Sequence, residues 1–151
     1  SMIRRLERKD RDTFFRLSEM FYSSEAVMHS IPSRYHADTF EELMRSEEYA
    51  DAFLLESDGI PVGFALTAKT WSREAGGKVL WLEELFILGE YRSKGLGREY
   101  FSFIEEYARS NGFMRIRLEV EPSNTRARSL YERLGYIPLE YEQMVKDLQK
   151  N

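Results

Sequence analysis

The spacing of apolar residues near the start of the chain predicts a short strand followed by a helix. Residues 2–6 suit a strand, and residues 10–23 carry apolar side chains at helical spacing, namely Phe14, Leu17, Phe21 and Tyr22. Pro32 then forbids a continued helix. His29 and His36 fall in this irregular segment, where we expect exposed loop positions.

A second helix is expected after the irregular segment. Asp38 or Thr39 can cap it, and it would extend to about residue 46. Glu41 and Glu42 would then lie in its first turn, where carboxylates stabilise the positive end of the helix dipole.

The pattern then changes to that of strands. Residues 51–57 and 60–71 have strand character and are joined by Asp58-Gly59, a dipeptide typical of tight hairpins. After a glycine-rich turn at residues 75–77, residues 78–88 predict a long apolar strand. Two adjacent carboxylates interrupt this otherwise apolar strand, which is unusual because buried charges are costly.

Two more helices and further strands complete the prediction. One helix is expected from Leu96, because apolar residues follow it on a single helical stripe, namely Tyr100, Phe101, Ile104, Tyr107 and Ala108. Residues 114–120 alternate strictly and predict a strand. The last helix would have Asn124 near its start and Gly135 at its end, and residues 136–148 would hold one or two closing strands. This mixed order predicts an α/β structure in which helices pack on a mixed sheet.

Length and composition fit one domain of ordinary globular character. The chain has 151 residues, of which 42% are hydrophobic and 32% charged. We expect a single domain over residues 2–151, because Ser1 before Met2 is typical of a residue left by tag cleavage.

Composition also argues against several classes of partner and of metal site. The sequence has no apolar run near the ~20 residues that span a bilayer, and its net charge of −4 gives no sign of a nucleic-acid partner. With no cysteine and two histidines, neither a thiolate site nor a histidine-rich metal site is expected. The absence of cysteine also fits a cytoplasmic location.

A glycine-containing turn directly before the helix at Leu96 suits an anion. Arg92, Ser93, Lys94, Gly95, Gly97 and Arg98 surround the start of this helix. A helix start exposes unpaired N–H groups and about half a positive charge, and glycine lets a ligand approach them. The spacing matches neither the P-loop nor the dinucleotide fingerprint, so a diphosphate of another kind is expected. The alternative is a plain strand-to-helix turn with solvated basic residues.

Two motifs resemble those of the GNAT superfamily of N-acetyltransferases. LEELFILGEYRSKGLG resembles its acetyl-CoA motif, and LEVEPSNTRARSLYERLGY resembles its Asn-x-x-Ala-x-x-Leu-Tyr-x-x-x-Gly-Tyr/Phe segment. The second pattern falls here on Asn124, Ala127, Leu130, Tyr131, Gly135 and Tyr136. The resemblance covers residues 80–136. It implies a single-domain α/β fold with a mixed, mostly antiparallel sheet, flanked by helices and splayed between two central parallel strands.

The resemblance implies acetyl-CoA as co-substrate and assigns residues to bind it. The backbone of Leu85, Phe86 and Ile87 would pair with the pantetheine arm, and the diphosphate would lie over Ser93, Lys94, Gly95, Leu96, Gly97 and Arg98. Arg92 would brace the loop or reach a phosphate. Asn124 would contact the cofactor or fix its loop, although a plain helix cap is an equal alternative.

Amine acetylation also requires an acid and a base. An alkyl ammonium, with a pKa of about 10.4, must lose a proton, and a carboxylate can accept it. Strand residues alternate, so Glu83 and Glu84 are expected to face opposite sides. The resemblance selects Glu83 as the base, with Glu84 and Glu119 as alternatives. It makes Tyr131 the acid that protonates the leaving thiolate of coenzyme A.

The function implied is acetyl transfer to a primary amine by direct attack in a ternary complex. The strand with Glu83 is most similar to that of small diamine and polyamine acetyltransferases, so a small amine is the expected acceptor. A protein or peptide N-acetyltransferase is an alternative, as is a sensor that binds acyl-CoA without turnover. Related small-amine enzymes are often dimers, which makes a homodimer the assembly to test for.

Overall fold

The computed structural model describes residues 1–149. The strands are β1 (Met2–Arg5), β2 (Ala50–Ser57), β3 (Ile60–Ser72), β4 (Gly77–Ile87) and β5 (Arg115–Leu118). The helices are α1 (Arg11–Tyr22), α2 (Arg34–Arg45), α3 (Leu96–Ser110) and α4 (Thr125–Arg133). Short 3-10 turns at Arg8–Asp10 and Gly89–Tyr91 precede α1 and α3.

The strands form a mixed sheet in the order β1-β2-β3-β4-β5. The first three neighbouring pairs are antiparallel, and β4 and β5 are parallel. The α/β class and the mostly antiparallel sheet are thereby confirmed. The parallel pair was expected at the centre, but β5 is an edge strand in the sheet formed by residues 1–149.

The two parallel strands pair over only part of β4. Residues Val79–Leu82 of β4 lie opposite Arg115–Leu118 of β5. β4 then continues to Ile87, beyond the end of β5 at Leu118. Residues 83–87 therefore extend past the described parallel ladder, at the level where the sequence predicts the cofactor arm.

The β2–β3 hairpin turns at Asp58-Gly59, as predicted. Both residues have positive φ, 52° and 76°, which suits the tight turns that join antiparallel strands. Further along β3, Gly63 is required by close packing, because a Cβ there would lie 2.3 Å from the carbonyl oxygen of Phe86. The β3 and β4 backbones thus approach each other closely at Phe86.

Helices cover both faces of the sheet. A cluster of buried residues lies on the face covered by α1 and α2, and it comprises Leu6, Phe14, Leu17, Phe21, Phe40, Ala52, Leu54, Phe64 and Phe86. α3 packs on the opposite face through Leu96, Tyr100, Phe101, Ile104 and Ala108, all of which are buried. The ring of Phe53, which alternates with Ala52 and Leu54, contacts Phe103 and Tyr107 of α3.

The expected start of the second helix was wrong. α2 begins at Arg34 after Ser33, not at Asp38 or Thr39. Pro32 ends the irregular segment and its carbonyl accepts the first helical hydrogen bond, from the N–H of Tyr35 at 2.9 Å. Proline is compatible with the entrance of a helix, although not with its interior.

The side chains expected to form the entrance of α2 lie inside it instead. The hydroxyl of Thr39 donates to the carbonyl oxygen of Tyr35 at 2.7 Å, so it is used within the helix rather than as a cap. Glu41 and Glu42 consequently fall in the second half of α2, away from its positive end.

The closing strands expected at residues 136–148 are absent from the structure of residues 1–149. Pro138 lacks the N–H that a central strand needs. Beyond Tyr141, the apolar residues Met144, Val145 and Leu148 have helical rather than alternating spacing. The side chains of this segment are largely exposed, with Met144 at 98%. The preceding strand is also shorter than predicted, covering Arg115–Leu118 instead of residues 114–120.

Backbone contacts divide the described chain into two compact units. One comprises residues 1–118, with the whole sheet and α1 to α3, and the other begins at Glu119 and contains α4. Within residues 1–149, no helix combines the length and the apolar character that crossing a membrane would require.

Candidate active site

A β-bulge interrupts β4 at its two adjacent carboxylates. Leu66 of β3 lies opposite Glu84, but the next residue, Thr67, lies opposite Leu82. Glu83 is therefore an extra residue in β4, and two residues of this strand oppose one of β3. The bulge interrupts the period of two from which opposite sides were expected for Glu83 and Glu84.

Glu84 is held by a tyrosine from α1. The hydroxyl of Tyr22 donates a hydrogen bond to Oε2 of Glu84 at 2.8 Å. Burial raises the pKa of Glu84, the hydrogen bond from Tyr22 lowers it, and the negative charge of Glu83 raises it, with a net increase. A carboxyl group with a raised pKa is typical of a proton acceptor that works near neutral pH.

The phenol of Tyr22 stays protonated because of the same surroundings. Burial raises its pKa first, and the charges of Glu84 and Glu83 raise it further, since a phenolate beside two carboxylates is unfavourable. Tyr22 is therefore a protonated hydrogen-bond donor at neutral pH.

His36 braces Tyr22 from α2. Its ring lies edge-to-face with that of Tyr22, with centroids 5.7 Å apart. Oγ of Ser18, one turn before Tyr22 on α1, lies 2.7 Å from Nδ1 of His36. The expectation of an exposed loop histidine was wrong, because His36 is in a helix and only 7% exposed.

The loop after β4 is fixed by Arg92. Its Nε donates to the carbonyl oxygen of Ile87 at 2.7 Å, and its guanidinium carbon lies 5.8 Å from the ring centroid of Phe86. Ser93 has a positive φ of 61°, which bends the chain towards the helix. These contacts hold the Arg92 side chain against the end of β4.

Two glycines lie at the start of α3, and glycine is present at each for a different reason. Gly95 is the residue before the helix and has a φ of 89°, which side-chain-bearing residues rarely adopt. Gly97 has helical backbone and would accommodate a Cβ with nothing within 4 Å. Neither strain nor packing within the described chain therefore explains Gly97, whereas a ligand approaching the first amides of the helix would.

A cavity of about 500 Å³ lies beside the end of β4. Its lining combines the cofactor-binding residues predicted on β4 with the segment after α1: Leu85, Phe86, Ile87, Arg92, Ser24, Glu25 and Ala26. The three strand residues and Arg92 are thus brought together, as the sequence motif suggests.

The unit that begins at Glu119 carries the remaining candidates. Tyr131 is half-buried on α4, its ring lies 6.3 Å from that of Tyr136, and burial raises the pKa of its phenol. Asn124 caps α4, since its Oδ1 accepts a hydrogen bond from the N–H of Ala127 at 3.1 Å. Glu119 accepts a hydrogen bond from the side-chain amide of Gln143.

Sequence reasoning missed Tyr22 and its two supports, Ser18 and His36. Tyr22 was recognised only as part of an apolar helical stripe. The signal that could have identified it is its hydroxyl, because a tyrosine on the buried side of a helix needs a polar partner. Within residues 1–149, no group of three or more His, Asp or Glu side chains is arranged to hold a metal ion.

Comparison with known proteins identifies the family. The model of the Acetyltransferase (GNAT) family matches residues 12–136, which include parts of both units and every candidate described above. The chain belongs to the GNAT acetyltransferase family. The predicted superfamily is thereby confirmed.

Similar proteins include both uncharacterised and characterised members of this family. An uncharacterised N-acetyltransferase, YhfO of Bacillus subtilis, is 34% identical over 61% of this chain and 62% of that protein. The thialysine N-epsilon-acetyltransferase of Bos taurus is 30% identical over 63% of each chain. The matches thus span about 60% of the length of these relatives.

Solved GNAT structures share the fold of this chain. A possible acetyltransferase from Clostridium difficile 630 superposes with a TM-score of 0.83, at 20% identity and over 99% of this chain and 98% of that one. Aminoglycoside N-acetyltransferase AAC(6')-Iy in complex with CoA gives 0.79, at 18% identity and over 98% and 95%.

Proposed function

We propose that this protein is an acetyl-CoA-dependent N-acetyltransferase that acetylates a small primary amine by direct attack in a ternary complex. The observation that carries the proposal is the entrance of α3. There, Gly97 leaves the first helical amides open, and the end of β4 extends beyond its pairing with β5. Membership of the GNAT family supports the same reaction.

The diphosphate of acetyl-CoA is assigned to the turn before α3. The amides of Leu96, Gly97 and Arg98 lack intrahelical acceptors by their position in the first turn, and the helix dipole adds positive potential. Lys94 and Arg98 add mobile charge. The backbone of Leu85, Phe86 and Ile87 would hold the pantetheine arm, because strand residues outside a ladder have amides and carbonyls that need partners.

The substrate ammonium loses one proton before the C–N bond forms and another afterwards, and the leaving thiolate must gain one. A carboxylate at the bulge of β4 takes the first proton. The motif resemblance names Glu83, and Glu84 and Glu119 are the alternatives. Tyr131 supplies the proton that the thiolate gains, because a phenol whose pKa is raised by burial is protonated at neutral pH.

The acceptor class is the least constrained part of the proposal. The relative that acetylates the ε-amino group of thialysine supports a small primary amine. A peptide acceptor would require an open groove, and an acyl-CoA sensor would bind cofactor without turnover. The carboxylates near Tyr22, and a tyrosine at the position of Tyr131, favour an enzyme over a sensor. A homodimer and a cytoplasmic location remain expectations.

A screen for coenzyme A release tests the proposal. The purified chain is incubated with acetyl-CoA and with polyamines, lysine analogues, aminoglycosides and peptides, and free thiol is measured. We expect turnover on at least one small amine. Turnover on peptides alone would replace the acceptor assignment, and cofactor binding without turnover on any amine would establish the sensor alternative.

Replacing Gly97 by alanine should separate folding from cofactor binding. Alanine is favoured over glycine in helices, and the added Cβ meets nothing in the described protein. The free energy of unfolding should therefore stay equal or rise by up to about 1 kcal/mol. The methyl group would lie where the diphosphate approaches, so the Kd for coenzyme A should rise about tenfold, or about 1.4 kcal/mol. Calorimetry measures both quantities.

Gly89→Ala is the matched control for this substitution. Gly89 also lies in open space and has no positive φ, but it precedes the turn assigned to the diphosphate. Its replacement should leave the Kd unchanged. Equal Kd values for the Gly97→Ala variant and the original protein would contradict the placement of the diphosphate.

A further inference from the structure

Tyr22 connects α1 directly to the strand that carries the two carboxylates. Its hydroxyl lies 2.8 Å from Oε2 of Glu84, in a half-buried position. This bond constrains one oxygen of the carboxylate, and a carboxylate has acceptor sites on both oxygens. Glu84 is thereby oriented, while Glu83 is the exposed residue of the bulge.

Tyr22 is itself held by His36 of α2, which Ser18 of α1 contacts in turn. His36 of α2 packs against the edge of its ring, and Ser18 of α1 contacts Nδ1 of His36 at 2.7 Å. His36 and Ser18 are both more than nine-tenths buried. Because these contacts are desolvated, they fix the position of the phenol more firmly than surface contacts would.

The groups around Glu84 have opposing effects on its protonation. The residue is partly desolvated on the α1 side, and Glu83 on the same strand adds a like charge. Tyr22 from α1 stabilises the ionised form by donating a hydrogen bond, and His36 from α2 contacts Tyr22. Without Tyr22, both remaining influences would favour the neutral acid, which cannot accept a proton.

We propose that Glu84 accepts the proton of the substrate ammonium and that Tyr22 is the positioning residue that keeps Glu84 oriented and ionised. This inference rests on the proposed acetyltransferase function and deepens it. The N–H bond of the ammonium breaks and its proton passes to Glu84. The freed electron pair of nitrogen forms the C–N bond with the thioester carbonyl carbon. The C–S bond then breaks, the nitrogen releases its second proton to solvent, and the leaving thiolate takes a proton from Tyr131, which solvent reprotonates.

Two features suit Glu84 to this role. A general base works best when it is held in one orientation, and Glu84 has a structural hydrogen bond across two elements. A base also works best when its pKa lies nearer the operating pH than that of a solvated carboxylate. The partial burial of Glu84 provides this condition, whereas the side chain of Glu83 is exposed.

Tyr22→Phe tests the inference through the pH dependence of kcat/KM on the best amine from the screen. The variant keeps the ring but loses the hydroxyl, so the acid limb should move to higher pH by about one unit. Activity should recover at alkaline pH, because Glu84 ionises there without help. Tyr49→Phe is the matched control, since Tyr49 is 61% exposed, and its profile should coincide with that of the original protein. An unmoved acid limb in Tyr22→Phe would overturn the proposal.

The two carboxylates are separated by single substitutions. Glu84→Gln should remove the acid limb and lower kcat/KM by 10²-fold or more. Glu83→Gln should keep the limb and move it slightly to lower pH, because a like charge beside Glu84 is removed. If Glu83→Gln abolishes the limb and Glu84→Gln does not, the proton acceptor is Glu83 and the inference is wrong.

A titration without turnover distinguishes this inference from the proposed function. The carboxyl carbons of the free protein are followed by ¹³C NMR against pH, and the Glu84 signal is assigned by its absence in Glu84→Gln. The Glu84 pKa should rise in Tyr22→Phe, and an unchanged pKa would refute the role of Tyr22. If the protein acetylates no amine but the Glu84 pKa rises in Tyr22→Phe, the proposed function is wrong and Tyr22 is still the group that sets the ionisation of Glu84.

Discussion

Replacing Tyr131 by phenylalanine should lower kcat for amine acetylation by about 10²–10⁴-fold, the range typical of a lost general acid. The thiolate of coenzyme A would then leave without a proton donor. The KM for acetyl-CoA should change little, because the aromatic ring is retained. Steady-state kinetics on the amine identified by the thiol-release screen measures both parameters.

Tyr136, which follows α4, provides the control for this substitution. Tyr136 packs its ring 6.3 Å from that of Tyr131 and occupies a motif position that accepts tyrosine or phenylalanine. Tyr136→Phe should therefore keep nearly full activity. Because burial raises the pKa of Tyr131, the original enzyme should also keep its activity well into the alkaline range. Normal turnover by Tyr131→Phe would show that another group protonates the thiolate.

Replacing Asp51 by asparagine should destabilise the fold by about 3 kcal/mol, the cost typical of breaking a buried ion pair. Asp51 is 1% exposed and joins three elements to β2. Its carboxylate contacts Arg5 of β1 at 2.6 Å and Lys69 of β3 at 2.9 Å, and it accepts a hydrogen bond from Tyr107 of α3 at 2.7 Å. An amide would present N–H groups to two cations and remove their shared buried counter-charge, leaving Arg5 its contact with exposed Glu47 at 3.1 Å.

The same network predicts how stability depends on pH. Burial alone would raise the pKa of Asp51, but hydrogen bonds from Lys69, Tyr107 and Arg5 outweigh it and hold the pKa below the usual value of an aspartate. The contribution of Asp51 is therefore complete above the pKa of the unfolded chain and is lost as pH falls through the folded value. The difference between the original protein and Asp51→Asn should narrow in acid.

Urea unfolding followed by circular dichroism measures this effect at several pH values. Asp12→Asn is the matched control, because the Asp12 side chain is 98% exposed and its removal should cost less than about 0.5 kcal/mol. If Asp51→Asn lowers the free energy of unfolding by as little as the control does, the three partners are satisfied without the carboxylate.

Local patterns in the sequence were sufficient for most of the fold. The apolar stripe after Leu96 predicted α3, and the dipeptide Asp58-Gly59 predicted the hairpin, because both depend on residues close together in the chain. The cap at Asn124 was predictable for the same reason, and its side chain does bond to the N–H of Ala127. The glycine turn before α3 was recognisable because glycine, which is unfavourable in helices, lies directly beside the apolar stripe that begins at Leu96.

The features that failed depend on contacts between distant segments. The bulge at Glu83 arises from the register between β3 and β4, so the sequence of β4 alone predicted ordinary alternation. Tyr22 and Glu84 are 62 positions apart, and only folding brings them together. Pro32 was taken as the end of one segment, although it also allows α2 to begin directly after it.

The central claim is that the first amides of α3 bind the diphosphate of the cofactor, and one titration measures it directly. Coenzyme A is added to ¹⁵N-labelled protein, with pantetheine, which lacks the diphosphate, as the comparison. We predict large shifts of the Leu96, Gly97 and Arg98 amide signals with coenzyme A and small ones with pantetheine. Binding of coenzyme A that leaves these three signals in place would contradict the account.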